Sequence, residues 1–288
     1  MNVKNFEYDL VKDKVLFFDF DGALADTEFY HRDALTEAFW PYDINLSPLD
    51  WKPYLGHPDR QIIQMLSERF GINIPEEETV SNKLSLFKDK LVKYDVKPSP
   101  DMVKLLHVLP NVKYVLTAQN TDFVRFFLER WGISNLFADI FCLGELDITR
   151  KCELIKESGF DLSASFLFDD SIQAVDNSLK HGLACCLVVS RFNAFDSAYT
   201  LPKKRSFKAS VLDLATVYCY CGRDGCLMRY NTYRDVYEGY NWKERIWEDY
   251  DEAYDASAGL YDGFVETITE HEAEEIIRKH NNSKASVN

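Results

Sequence analysis

Residues able to do chemistry gather at four places in the sequence. Asp19-Phe20-Asp21-Gly22-Ala23-Leu24-Ala25-Asp26 follows one apolar run, and Thr117-Ala118-Gln119-Asn120 follows another. Arg150-Lys151 opens a helix-like stretch, and Asp169-Asp170-Ser171 follows Phe166-Leu167-Phe168. Closely spaced carboxylates repel unless something positive sits among them, and a hard cation such as Mg²⁺ takes oxygen ligands. The chemistry this suits is phosphoryl transfer. Asp19 can be the nucleophile, and Asp21 can hand a proton to the leaving oxygen. Thr117, nearby backbone N–H groups and Lys151 can hold the equatorial phosphate oxygens while Mg²⁺ offsets charge. Gly22, Ala118, Gln119 and Asn120 lie at the same points as candidate substrate contacts. Phosphate monoesters hydrolyse so slowly that a catalyst must supply up to ~10²¹-fold, and an aspartyl-phosphate splits that barrier into two smaller ones.

These residues meet only if the runs before them are neighbouring strands. Val15-Leu16-Phe17-Phe18 is a short continuous apolar run, as a strand buried on both faces requires. Residues 112–116, 140–143, 166–168 and 184–189 are further runs of this kind. Helix-like segments at 102–108, 122–131, 151–158 and 172–180 lie between them. The alternation implies an α/β fold, a Rossmann-like parallel sheet with right-handed crossovers. Ligands of such sheets bind beyond the carboxyl ends of the strands, where the four groups fall. Residues 28–95 break the alternation. They carry helical patterns only: Leu35 and Phe39; Ile62, Ile63, Leu66 and Phe70 ended by Gly71; Leu84, Phe87 and Leu91. A helical insert directly after the first strand would sit over the ligand edge as a lid.

The segment from Val15 to Glu28 resembles the first motif of the haloacid dehalogenase-like superfamily, D-x-D-G-x-x-x-D-[ST]. Thr117 matches the second motif, Lys151 the third, and Asp169-Asp170-Ser171 the fourth, in order over about residues 12–192. The position of the insert, and Asp26-Thr27-Glu28-x-x-His31, are similar to members with a small helical cap, such as β-phosphoglucomutase and phosphoglycolate phosphatase. The resemblance implies that Asp19 is nucleophile and metal ligand. It implies that Asp21 is acid/base and offers its backbone carbonyl to Mg²⁺, and that Asp170, with Asp169, completes the metal site. The resulting division is 1–27 and 96–200 for the catalytic core, 28–95 for the cap and 201–288 for an extension. The sequence departs from the pattern at Ala23, where Thr or Val is usual. It departs also at Asp147-Ile148-Thr149-Arg150-Lys151, which replaces a lysine-proline string and leaves Arg150 and Lys156 as alternatives to Lys151. Dehalogenases lack a carboxylate two residues after the nucleophile, so Asp21 argues against dehalogenation. A phosphonate hydrolase needs a buried cap lysine; Lys52, Lys83, Lys88 and Lys90 are present, and nothing in the sequence marks one as buried. In the cap loop Leu55-Gly56-His57-Pro58-Asp59-Arg60, Leu55 replaces the lysine of mutases, while His57 and Arg60 are candidates for gripping the leaving group. His31 either ties the cap hinge to the site or sits on a helix face. The expected activity is Mg²⁺-dependent hydrolysis of a small phosphorylated metabolite or nucleotide. A phosphosugar mutase, or a non-catalytic scaffold, is the alternative.

Composition sets limits on partners. The 288 residues carry a formal charge of -14, which argues against duplex nucleic acid or an anionic membrane as partner. The longest apolar run, at 182–189, is far short of the ~20 residues that span a bilayer. Residues 1–14 lack the apolar region of a signal peptide, so a cytoplasmic location is expected. Between 230 and 275 there are fourteen acidic residues against three basic ones, with seven of the sixteen tyrosines. This acidic segment could bind a protein partner. Aromatics at Tyr233, Tyr237, Tyr240, Trp247, Tyr250 and Tyr254 recur at three- to four-residue spacing, which predicts amphipathic helices packed on the domain. Cys219, Cys221 and Cys226 are either buried thiols of a strand and turn or three thiolate ligands for zinc. Residues 281–288 are expected to be disordered.

Overall fold

The apolar run before Asp19 forms strand β1 (Val15–Phe18), and both of its neighbours are strands that end in the residues singled out above. The computed structural model describes residues 8–44, 46, 54, 57–144, 150–189, 209–213, 216–222, 225–231, 236–250, 253, 266–268 and 270–285. Strand β2 (Lys113–Thr117) pairs parallel with β1 on one side, and β4 (Ser165–Asp169) pairs parallel on the other. With β3 (Asp139–Cys142), β5 (Ala184–Val189) and β6 (Ala209–Asp213) the sheet order is β3-β2-β1-β4-β5-β6. The order reverses at β1, which is where a doubly wound sheet opens its ligand crevice. Phe18 lies beside both Val115 and Phe168, so the chain leaves the sheet at neighbouring points after β1, β2 and β4. Strands β4 and β5 are buried at every position, as their unbroken apolar sequence demands. β6 lies beyond residue 200, so the sheet runs into the segment expected to be the extension.

Helices α4 (Pro100–Val108), α5 (Thr121–Arg130), α6 (Lys151–Glu157) and α7 (Ile172–Lys180) alternate with the strands. Between β1 and α4 lie α1 (Glu28–Ala38), α2 (Asp59–Phe70) and α3 (Glu76–Lys93), the helical insert that the sequence predicts. Its core joins Leu35 and Phe39 to Ile62, Ile63, Leu66 and Ile74. Gly71 ends α2 at φ +65°, a left-handed cap that costs glycine no steric penalty.

The chain divides into two compact units, 1–188 with 200–212, and 189–199 with 213–288. The second is an antiparallel sheet. Its strands β7 (Thr216–Cys221), β8 (Cys226–Asn231), β9 (Val236–Asn241), β10 (Ile246–Asp249) and β11 (Glu266–Ile268) run in the order β10-β9-β8-β7-β11. One face packs Tyr218, Leu227 and Ile268 with Tyr240, Trp242 and Trp247 against α8 (Glu270–Ala285) through Ala273, Ile276 and Ile277. The other gathers Cys219, Cys226, Met228, Tyr237, Tyr250 and Ala253. The expected amphipathic helices are therefore replaced by strands. Tyr237 and Tyr240, three apart, point to opposite faces of β9, and Trp247 returns on β10 opposite Tyr240. A hairpin with aromatics on both strands reproduces helical spacing by coincidence. Tyr233 and Tyr254 fall outside the described residues. The C-terminal stretch expected to be disordered is helical as far as Ala285. Among the described residues no helix is long and apolar enough to cross a membrane.

Candidate active site

Asp19 directly follows β1, its amide donating to Phe168 O at 2.8 Å in the last bond of the ladder. The chain then turns at Gly22, whose φ is +72°. A Cβ there would stand 1.9 Å from Asp170 Oδ2, so glycine is required both by conformation and by the carboxylate packed on it. On the far side of the turn Thr27 donates its hydroxyl to Asp21 Oδ1 at 2.6 Å. Asp169 ends β4 fully buried, and its Oδ1 accepts from Ser171 N at 2.9 Å while Ser171 caps α7. Asp19, Asp169 and Asp170 bring one oxygen each within 4.8 Å of one another.

Lys151, at the start of α6, is buried between them. Its Nζ lies 2.9 Å from Asp19 Oδ1 and 2.5 Å from Asp169 Oδ2. The two alternatives point elsewhere: Arg150 pairs with Glu153 and Glu157, and Lys156 is exposed. Residues 145–149 lie outside the described residues. Thr117, at the end of β2, is buried, and its hydroxyl accepts from Gln119 N at 3.1 Å. Ala118 is exposed, and Asn120 caps α5 by accepting from Asp122 N and Phe123 N.

The cap contributes His31, which the sequence named, and a link from it to Lys83, which the sequence did not reveal. His31 Nε2 lies 3.2 Å from Asp21 Oδ2 and 2.8 Å from the Gln119 carboxamide nitrogen. Its Nδ1 lies 2.6 Å from Lys83 Nζ, which donates to Asp59 Oδ2 at 2.7 Å. Lys83 is 1% exposed, so of the cap lysines named from the sequence it is a buried one. Thr79, Lys83, Phe87 and Leu91 share one buried stripe of α3 at four-residue spacing. A lysine on that stripe was the available signal. His31 thus connects the cap to the site rather than decorating a helix face. Phe87 covers its ring at 3.8 Å and stacks on Phe123 of α5 at 5.2 Å. Arg60 ties α2 to the start of α3 through Glu76 and Glu77, and His57 is exposed. Leu55 and Gly56 lie outside the described residues.

The electrostatics follow from crowding. Burial pushes the Asp19 carboxyl up to about 8, with Asp169 and Asp21 adding to the rise and Lys151 opposing it. Burial, Glu28, Asp169 and Asp19 raise Asp170 well above the usual range. Burial alone would also raise Asp21, but His31, Thr27 and Gln119 outweigh it and hold its pKa below the ordinary carboxylate value. Lys151 is held charged: burial disfavours its cation, yet Asp169 and Asp19 more than offset that. Three buried carboxylates around one lysine retain a deficit of positive charge. An oxygen-only set of this size fits a hard divalent cation, which would restore Asp19 and Asp170 to their ionised forms.

An aspartate directly after the first strand, a second two residues on, and a lysine paired with two buried carboxylates meet at one edge of an α/β sheet. The profile of the haloacid dehalogenase-like hydrolases matches residues 16–188, more than half the chain, and the protein belongs to that family. The fold is shared with CbbY from Rhodobacter sphaeroides in its complex with xylulose-(1,5)bisphosphate: 17% identity, TM-score 0.53, covering 61% of this chain and 85% of that one. It is shared too with the haloacid dehalogenase-like protein SP0104 from Streptococcus pneumoniae: 16% identity, TM-score 0.50, covering 61% and 84%. No curated protein matches the sequence.

Proposed function

We propose that the protein is a Mg²⁺-dependent phosphatase that hydrolyses a small phosphorylated metabolite or nucleotide through a phosphoryl-Asp19 intermediate. The observation that carries this reading is the pairing of Lys151 with both Asp19 and Asp169, beside an Asp21 held separately by Thr27 and His31. The two carboxylates following β1 therefore have separate partners, Lys151 for Asp19 and His31 with Thr27 for Asp21, so each is held for its own role.

Asp19 attacks phosphorus through a carboxylate oxygen, and the ester oxygen leaves with a proton from Asp21. His31 and Thr27 stabilise the carboxylate that remains on Asp21. Asp21 then takes a proton from the water that attacks the phosphoryl group, and phosphate departs with Asp19 regenerated. Lys151 and the Thr117 hydroxyl face the transferring oxygens. Asp19, Asp169, Asp170 and the Asp21 carbonyl would hold Mg²⁺, which when bound would neutralise charge on the phosphoryl group. Gln119 and Asn120 follow Thr117, where they flank the substrate; the Gly22 turn lets the Asp170 carboxylate pack against the chain beside Asp21. Asp59 and Lys83 act on the site through His31, and His57 and Arg60, near the start of α2, are the cap's candidates for contacting the leaving group.

Release of p-nitrophenol from p-nitrophenyl phosphate tests the proposal. Hydrolysis should stop with EDTA and return with Mg²⁺, and Asp19→Asn should abolish it. Asp19→Asn activity above a few per cent of wild type would rule out the covalent route. A panel of phosphorylated sugars, nucleotides and acids then names the substrate.

A further inference from the structure

Outside the carboxylate site, reactive side chains concentrate on the β7–β8 hairpin of the second unit. Cys221, the last residue of β7, lies directly across from Cys226, the first of β8, and Cys219 lies across from Met228. Side chains alternate along a strand, so Cys219, Cys221, Cys226 and Met228 project from one face of the sheet. All seven cysteines of the chain are thiols rather than bridged. Directly opposed residues of an antiparallel pair have Cα atoms about 4.5 or 5.5 Å apart. Both values fall inside the ~4.4–6.8 Å range of a disulfide. The diagonal pair Cys219 and Cys226 is separated by about 7–8 Å in such a ladder, beyond what a disulfide spans without backbone movement. Cys221 is fully buried, whereas Cys226 is half-buried with its Sγ 3.9 Å from the Tyr250 hydroxyl. The two thiols thus differ in access: one can meet a reagent from solvent and the other can resolve the product.

We propose that Cys221 and Cys226 form a reversible cross-strand disulfide, with a small-molecule disulfide such as glutathione disulfide as the oxidant. The Cys226 thiolate attacks one sulfur of the oxidant and expels one glutathione thiolate, leaving a mixed disulfide on Cys226. Cys221 gives up its proton, attacks the Cys226 sulfur and expels the second glutathione thiolate. Two protein thiols are oxidised by two electrons, and one small disulfide is reduced to two thiols. The bond closes the hairpin at the end where β7 turns into β8, in a unit otherwise held by aromatic packing. It is independent of the phosphatase reading.

The test uses the full chain in glutathione buffers from fully reduced to mostly oxidised, quenched with acid, alkylated in denaturant and digested with trypsin, which cuts between the two cysteines at Arg223. The oxidised samples should lose two of the seven thiols and yield a peptide pair joined through Cys221 and Cys226, two hydrogens lighter than its reduced parts. Dithiothreitol should restore both thiols. Cys221→Ser should trap glutathione on Cys226, and Cys219→Ser should form the same link as wild type. Seven alkylatable thiols at the oxidising end, stable glutathione on wild-type Cys226, or a link that includes Cys219 would each overturn the proposal. The wild-type peptide map decides the matter even if a variant fails to fold.

Discussion

A carboxylate can attack phosphorus only while it is ionised, and the crowding around Asp19 works against that. In the metal-free protein its pKa rises to about 8 from an ordinary value of 3.8, and Asp170 and Glu28 are raised as well. A group whose pKa is raised by folding contributes its stability below the unfolded value and loses it as pH climbs through the folded one. The metal-free protein should therefore lose stability between about pH 4 and 8. Asp21 and Asp59 are shifted the other way and lose their contribution only in more acid solution. Mg²⁺ binding must displace protons in the same window, so the rise in Tm on adding Mg²⁺ should be larger at pH 8 than at pH 5.5. Calorimetry in buffers of different ionisation enthalpy should show proton release; an increment independent of pH would contradict the crowding account. Lys83 offers a second check. With Lys83→Met, Asp59 loses its cation and His31 loses the group fixing its Nδ1. The rate should fall by about tenfold or more, within the ~10²–10⁴-fold that a general acid/base contributes. Lys83→Arg should recover part of it, and unchanged kcat/KM in Lys83→Met would show that the link to His31 is structural only. Asp19, Asp21, Thr117, Lys151, Asp169 and Asp170 were legible in the sequence because each follows or opens an element recognisable by itself. The Lys83–His31–Asp21 connection was not, since it joins residues 52 and 10 positions apart through a fold that places α3 over α1.

At the scale of elements, β1 and the helices that flank it explain why the cap meets the core where it does. Phe20 follows Asp19 and packs edge-on to Phe123, whose other side stacks on Phe87 of the cap at an interplanar angle of 8°. Lys88 adds its ammonium 4.2 Å above Phe126, one turn further along α5. The helix that Asn120 caps beside the site is thus the surface on which α3 rests. An aromatic pair contributes about 0.5–1.5 kcal/mol beyond its buried area, which corresponds to about a two- to twelvefold shift in a closing equilibrium. Phe123→Ala should therefore raise hydrogen exchange of α3 amides and lower kcat/KM several-fold, while β1 amides stay protected. Phe123→Tyr should preserve both, and wild-type protection of α3 in Phe123→Ala would remove the stack as the closing contact. The parallel strands and their helices were legible because continuous burial and 3.6-residue periodicity are strong patterns. The second unit was misread because β9 carries aromatics on both faces, and Trp247 of β10 with Tyr250 just after it does the same, which erases the period of two that marks a half-buried strand. The turn holds the better signal: Asn241 Oδ1 accepts from Lys243 N and Glu244 N, and Arg245 takes a left-handed φ of +61°.

At the scale of the whole chain, the carboxylate site is complete by Ser171, yet the sheet that holds it is not. β6 is hydrogen-bonded beyond β5, and β5 is Ala184-Cys185-Cys186-Leu187-Val188-Val189, buried at every position. An exposed apolar strand edge of this kind is a template for pairing with another copy. Composition placed a boundary near residue 200, ahead of the acidic, tyrosine-rich stretch at 230–275, but charge and aromatic content do not report which sheet a short strand joins. Two truncations separate the alternatives. A chain of residues 1–213 keeps β6, so it should stay as dispersed as the full chain and retain Mg²⁺-dependent hydrolysis of p-nitrophenyl phosphate. A chain of residues 1–205 keeps every carboxylate and Lys151 but uncovers β5, so it should have a lower Tm and aggregate on light scattering at concentrations where 1–213 stays dispersed. Loss of hydrolysis in 1–213 with its Tm unchanged would give the second unit a part in the chemistry. Equal Tm and equal dispersion for the two truncations would mean that β6 does not protect the edge of the catalytic sheet.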